Sequence, residues 1–195
     1  GLAIPEEYGG AGGDLIDLAI LFEEVGKTAC PAPLFSTLVL GVLPLLAAGS
    51  EEQRQEILPR VAEGDAIMSM SLSEPEAEYK PEFMTTACVR AGDDFHISGT
   101  KLFVPYAGAA DYLLVVAATG EVSPDGKGMS IFLVRKGAEG MGFVPLKTVA
   151  ADKLFEQAKN PPLPSRRIRE IASRDGVYAA HPQQRLGQEL PDQVR

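Results

Sequence analysis

Three carboxylates two residues apart (Glu74, Glu76 and Glu78), two histidines, two cysteines and a run of glycines are the residues whose types invite chemistry. Paired carboxylates do acid and base work when one is held neutral and its neighbour ionised. Set in a loop beside Pro75, these three read instead as a solvated cluster. His96 falls in a predicted strand and His181 in an irregular stretch, neither with a partner at metal-ligand or relay spacing, so both read as structural or solvated. Gly9-Gly10-Ala11-Gly12-Gly13 precedes a helix and could aim backbone N–H groups at a phosphate. It is neither a dinucleotide fingerprint nor a P-loop, and Pro5-Glu6-Glu7 before it is not strand-like, so a plain turn is the expectation. Cys30 and Cys88 have no metal-type spacing and fit structural thiols in a reducing, cytoplasmic setting. No metal site and no catalytic residue emerges from spacing alone.

The elements that would position such groups fall into two kinds. Residues 14–64 read as helices. Asp14 can cap a helix whose Leu15, Leu18, Ala19, Phe22 and Val25 recur at helical spacing, with Gly26 placed to end it. Pro33 to Ala48 reads as a buried helix, closed by Gly49. Ser50 and Gln53 have capping-box spacing for another, in which Pro59 predicts a break near Leu58 before Gly64. From Ala66 to Leu146 short β-branched and aromatic runs take over. Thr85–Arg90 with Phe95–Ser98, and Asp111–Ala117 with Met129–Val134, flank turn-rich loops as antiparallel neighbours would, and Phe143–Leu146 adds one more strand. Strands so closely spaced favour an antiparallel sandwich or barrel over a parallel nucleotide-binding sheet.

The expected fold is therefore α+β, with a partial helical domain over 1–65, a β domain over 66–156 and a divergent, irregular tail over 157–195. Residues 159–195 carry seven Lys or Arg against four Asp or Glu in a chain whose net charge is −9. Asn160-Pro161-Pro162-Leu163-Pro164 interrupts regular structure there, so little stable packing is expected. The acidic balance disfavours a grip on nucleic-acid phosphates. The longest apolar stretch, broken by Gly41 and Pro44, is too short for a membrane span. A first residue Gly1 suggests an internal start.

Read in order, the local signals resemble the acyl-CoA dehydrogenase family. Leu2-Ala3-Ile4-Pro5-Glu6-Glu7-Tyr8-Gly9-Gly10 resembles the segment leading into a helix that bears Glu-Glu-Val-Gly-Lys, here Glu23 to Lys27. Leu58-Pro59-Arg60 follows. Met70-Ser71-Leu72-Ser73-Glu74-Pro75 resembles the family's Thr-Glu-Pro loop, and Ile97 to Val104 its Gly-x-Lys-x-aromatic strand. The resemblance covers roughly residues 1–156. It implies a helical domain, a β domain and a C-terminal four-helix domain, and oxidation of an acyl-CoA thioester: a carboxylate takes the α-proton and the β-hydride goes to N5 of FAD.

Carried over by position, the resemblance implies that Leu72, Ser73, Phe103, Val104 and Pro105 contact FAD. Leu72 and Ser73 would do so through backbone, Ser73 also through its hydroxyl, and Phe103 by stacking against or walling the ring. Met70, Glu78 and Tyr79 would lie on the acyl-CoA side. Two departures accompany it: Glu78-Tyr79-Lys80 replaces Gly-Ser-Asp, and Pro105 replaces a threonine, removing a hydroxyl and an N–H. The family's catalytic glutamate belongs to the C-terminal domain, whose sequence is expected to be missing beyond residue 156. A truncated or frame-shifted reading would explain that switch. The implied function is a flavoprotein fragment unable to complete the oxidation alone, joining homo- or hetero-oligomers. The alternatives are a non-catalytic partner docking on a complete dehydrogenase-like subunit and an unrelated β-sandwich binding module.

Overall fold

Two capping boxes open the long helices. In the first, Asp14 accepts from the Ile16 and Asp17 amides while the Asp17 carboxylate accepts from the Asp14 amide, starting α1 at Leu15–Lys27. In the second, Ser50 and Gln53 satisfy each other's orphan donors and start α3 at Glu51–Ala62. The computed structural model describes residues 1–77, 80–92, 94–146, 155–160 and 168–173.

Three helical details differ from expectation. Gly26 lies inside α1, and the left-handed residue that follows the helix is Ala29, at φ 49°. The apolar stretch is a π-helical segment, Ser36–Val42, running into α2, Leu43–Ala48, rather than one α-helix. Pro44 explains the widening: its ring crowds the carbonyl four residues back, and the Leu43 amide reaches five residues back to Leu38. The break expected near Leu58 does not occur, because α3 runs through Pro59 unbroken. Burial of Ile57, Leu58 and Val61 outweighs the one hydrogen bond that the proline forfeits.

Among the described residues eight strands follow: β1 Met68–Ser71, β2 Ala87–Ala91, β3 Asp94–Pro105, β4 Tyr112–Ala118, β5 Met129–Arg135, β6 Gly142–Pro145, β7 Phe155–Asn160 and β8 Ile168–Ser173. They lie in the order β6-β7-β3-β2-β4-β5-β8, with β1 also on β4. The expected hairpins β2–β3 and β4–β5 form antiparallel. The sheet is mixed, since β1 runs parallel to β4 and β2 meets β4 in one parallel pair. That arrangement suits a crossover as long as the one from Ser71 to Tyr112. Where an irregular tail is expected after residue 157, β7 pairs with β3 and β6, and β8 with β5. Backbone pairing needs no apolar face, so these strands complete ladders that side-chain periodicity did not announce.

Strand β4 divides two cores. Its run Tyr-Leu-Leu-Val-Val-Ala-Ala is buried almost throughout, as a strand covered on both faces should be. Tyr112 and Leu114 join Ile4, Leu18, Val42, Leu45, Ile57, Leu58 and Met68 beneath the helices. Leu113, Val115 and Ala117 point the other way, into a core with Ile97, Val104, Phe132 and Val134. The period of two thus fastens the helical part and the β part to opposite sides of one strand.

Arg60 of α3 donates to the Tyr112 hydroxyl at 2.7 Å, and Arg135, which also pairs with Glu56, reaches the same oxygen at 3.4 Å. This joint holds α3 against the sheet. At the other end, the glycine-rich turn spends its donors internally: Ala11, Gly12 and Gly13 donate to the carbonyls of Gly1, Ile4 and Leu2. A plain turn is what the structure contains.

Candidate functional site

Chain geometry turns three neighbouring features toward one place. The first is the loop after β1, where Leu72 is half exposed. The second is a bulge in β3. Lys101 pairs with Ala158 and Val104 with Glu156, so three steps along β3 match two along β7. The extra residue rephases the strand: Lys101 and Val104 are both buried, while Phe103 at φ 53° stands 54% exposed. For a bulky aromatic that left-handed conformation is unusual and marks a held position.

The third feature is an ion pair beneath both. Glu74 Oε1 and Lys101 Nζ are 2.6 Å apart, with side chains 0% and 1% exposed. The same carboxylate accepts from the Thr85 amide at 2.6 Å, the Thr85 hydroxyl at 2.8 Å and the Thr86 amide at 3.2 Å. Burial by itself pushes the Glu74 carboxyl up. Lys101, Thr86 and the Thr85 amide outweigh it and hold the carboxyl at about 2. Burial pushes the Lys101 ammonium down, and Glu74 offsets part of that.

Lys101 donates also to the Leu72 carbonyl at 3.1 Å, and the Leu102 amide donates to the Ser73 carbonyl at 2.8 Å. The loop is therefore tied to β3 at the residues next to Phe103. Ser69 adds a third tie, its hydroxyl donating to the Pro105 carbonyl at 2.5 Å. The reading of Glu74 as part of a solvated acidic cluster is corrected: Glu76 is exposed, but Glu74 is buried and fully engaged. The missed signal was Lys101 itself, a charged residue in an otherwise strand-like run with no partner nearby in sequence.

Of the residues singled out from sequence, Leu72, Ser73, Phe103, Val104 and Pro105 come together here. Val104 is fully buried in the core on the far side of β4 and is paired with Glu156 of β7, so its side chain does not face a ligand. Met70 stands apart, packed against the core beneath the helices. Glu78 and Tyr79 lie outside the described residues, as does His181. Among the described residues no group of three His, Cys, Asp or Glu could hold a metal, and no helix is long and apolar enough to cross a membrane.

At this surface the exposed Phe103 stands near the half-exposed Leu72, and the adjacent loop has its carbonyls turned away toward β3.

Residues 1–65 match the family model described as "Acyl-CoA dehydrogenase, N-terminal domain", and residues 69–157 match "Acyl-CoA dehydrogenase, middle domain". Acyl-CoA dehydrogenase FadE26 of Mycobacterium tuberculosis is 34% identical over 153 residues, which are 76% of this chain and 38% of that protein. Among solved structures, the ChsE4-ChsE5 complex from Mycobacterium tuberculosis is 28% identical with a TM-score of 0.73, covering 90% of this chain and 45% of that one. A glutaryl-CoA dehydrogenase from Mycobacterium smegmatis, solved in complex with FADH2, is 29% identical with a TM-score of 0.59, covering 71% and 35%. The chain thus spans less than half the length of each of these relatives. With two successive domain models matched over most of its length and an overall fold shared with these structures, this chain belongs to the acyl-CoA dehydrogenase family.

Proposed function

We propose that the chain supplies the flavin-facing wall of an FAD-dependent acyl-CoA dehydrogenation site. The observation that carries this reading is the double tie between the loop and the strand: Lys101 to the Leu72 carbonyl and Leu102 to the Ser73 carbonyl, with Phe103 exposed beside them. FAD, when bound, supplies the hydride acceptor. Phe103 walls the ring, Leu72 excludes water at its rim, and the Ser73 hydroxyl and backbone offer donors where negative charge gathers as the ring is reduced. Pro105 offers no N–H at its place, and its carbonyl is committed to Ser69.

The buried carboxylate at this site is not suited to take the α-proton. Glu74, the buried one, is held as an anion at about 2 by Lys101 and two amides, which leaves it a weak proton acceptor. The oxidation then requires a base from elsewhere, so the chain alone contacts FAD without turning over an acyl-CoA. Titrating FAD with the purified chain tests this by quenching of flavin fluorescence. Phe103→Ala is expected to weaken binding about tenfold or more. Equal affinity of the variant and the parent chain would refute the assignment, and steady enoyl-CoA formation would refute incompetence.

A second reading has its own observation. Leu15 and Ile16 at 69% exposure and Ile20 at 56% line α1, with Phe35 nearby against Phe22. Apolar surface of this kind favours association, and one similar structure, ChsE4-ChsE5, is a complex of two proteins. In this reading the chain is a non-catalytic subunit that docks on a complete dehydrogenase-like partner. Light scattering that shows a monomer, alone and mixed with such a subunit, would remove it.

A further inference from the structure

Lys101 is placed to do more than neutralise Glu74. A trans peptide carries its C=O and N–H on opposite sides. With the Leu72 carbonyl on the Lys101 ammonium, the Ser73 N–H points away from Lys101, and with the Ser73 carbonyl on the Leu102 amide, the Glu74 N–H points away from β3. Neither N–H donates to an acceptor among the described residues. We propose that Lys101, itself fixed by Glu74, is a positioning residue that holds the Leu72 carbonyl inward and so presents the Ser73 N–H as a preset donor to the flavin edge. This deepens the flavin reading above and rests on it.

Several observations favour positioning over simple fastening. Burying a full ion pair is costly, and apolar replacements of such pairs are often neutral or stabilising, so stability alone is a weak reason for one here. The carboxylate carries more bonds than the cation requires: with Thr85 and Thr86 also donating to it, Glu74 is an anchored base plate rather than one half of a mobile pair. The ammonium spans from that plate to the single carbonyl whose direction sets the neighbouring N–H. A donor serving developing charge is most effective when its direction is fixed beforehand and no reorganisation is needed.

The test uses the full chain and a double variant, Glu74→Gln with Lys101→Met, which removes both charges and leaves an amide oxygen for the Thr85 and Thr86 donors. Expected are an unfolding midpoint near that of the parent chain, FAD binding weakened about tenfold, and, in the free chain, backbone amide relaxation that reports Ser73 and Glu74 as ordered in the parent and mobile in the variant. A folded double variant that keeps the parent's FAD affinity, flavin absorbance and Ser73 order overturns the proposal. Failure of the double variant to fold also overturns it, since the pair would then be serving the fold rather than the loop. If the parent chain does not bind FAD, the flavin reading fails. The relaxation comparison then still decides whether Lys101 holds the loop.

Discussion

Replacing Lys101 by methionine removes the cation from a carboxylate that has no contact with solvent. The fall of the Glu74 carboxyl from its ordinary 4.5 to about 2 corresponds to roughly 3 kcal/mol in favour of the folded carboxylate. Because the folded-state value lies below the unfolded one, this contribution is complete above pH 4.5 and is lost as pH falls toward 2. Lys101 works in the opposite sense. Burial lowers its pKa, so charging it costs stability below that folded value, and the cost is relieved as pH rises toward 10.5. Removing the lysine relieves that cost, which places the net loss near neutrality at the low end of the range for a broken buried pair, about 3 kcal/mol. In the variant, burial still raises the Glu74 carboxyl while its main opponent is gone, so protonation becomes the route out of an unpaired buried charge. The deficit against the parent chain must therefore shrink as the pH is lowered from 7 to 4. Urea unfolding of both proteins at several pH values measures this, and the other titrating groups cancel in the difference. A deficit below about 1 kcal/mol at pH 7, or one that does not change with pH, would show that Lys101 does not hold the Glu74 charge in the fold.

Two alanine replacements at glycine should move stability in opposite directions. A Cβ at Gly10 would lie 2.0 Å from the Ile4 carbonyl oxygen and 2.5 Å from its carbon, so Gly10→Ala should cost about 2 kcal/mol or more in urea unfolding. Gly26 sits inside α1 with nothing within 4 Å of such a Cβ, and Gly26→Ala should stabilise by about 0.5 to 1 kcal/mol. Tyr112→Phe should cost about 1 to 2 kcal/mol by removing the acceptor shared by Arg60 and Arg135. An unchanged unfolding midpoint for that variant would show that α3 is not held by this joint.

Where a signal in the sequence was local, it was legible. Asp14 with Asp17 and Ser50 with Gln53 fix helix starts through contacts three residues apart. The hairpins could be read because Gly92 and the turn before Met129 interrupt strand-like runs. Gly26 and Pro59 misled for the same physical reason. Each weakens a helix by a modest local amount, and packing of Leu18 on α1 and of Ile57, Leu58 and Val61 on α3 overrides it. Strand β1 was hidden in what reads as a loop, since four residues paired parallel to β4 draw their stability from a partner some forty residues away. At the site, the loop and the aromatic strand were recognised through family resemblance. The bulge that exposes Phe103 depends on pairing with β7, and the Glu74–Lys101 bond spans 27 positions, so neither has a short-range signature.

If the Leu72–Ser73 loop and the Phe103 strand form one face for a flavin, amide hydrogen exchange of the chain with and without saturating FAD will show it. Exchange should slow at Ser73, Glu74 and residues 101–104, with the glycine turn at 9–13 unchanged. Protection confined to other segments, or none at all with FAD demonstrably bound, would contradict it.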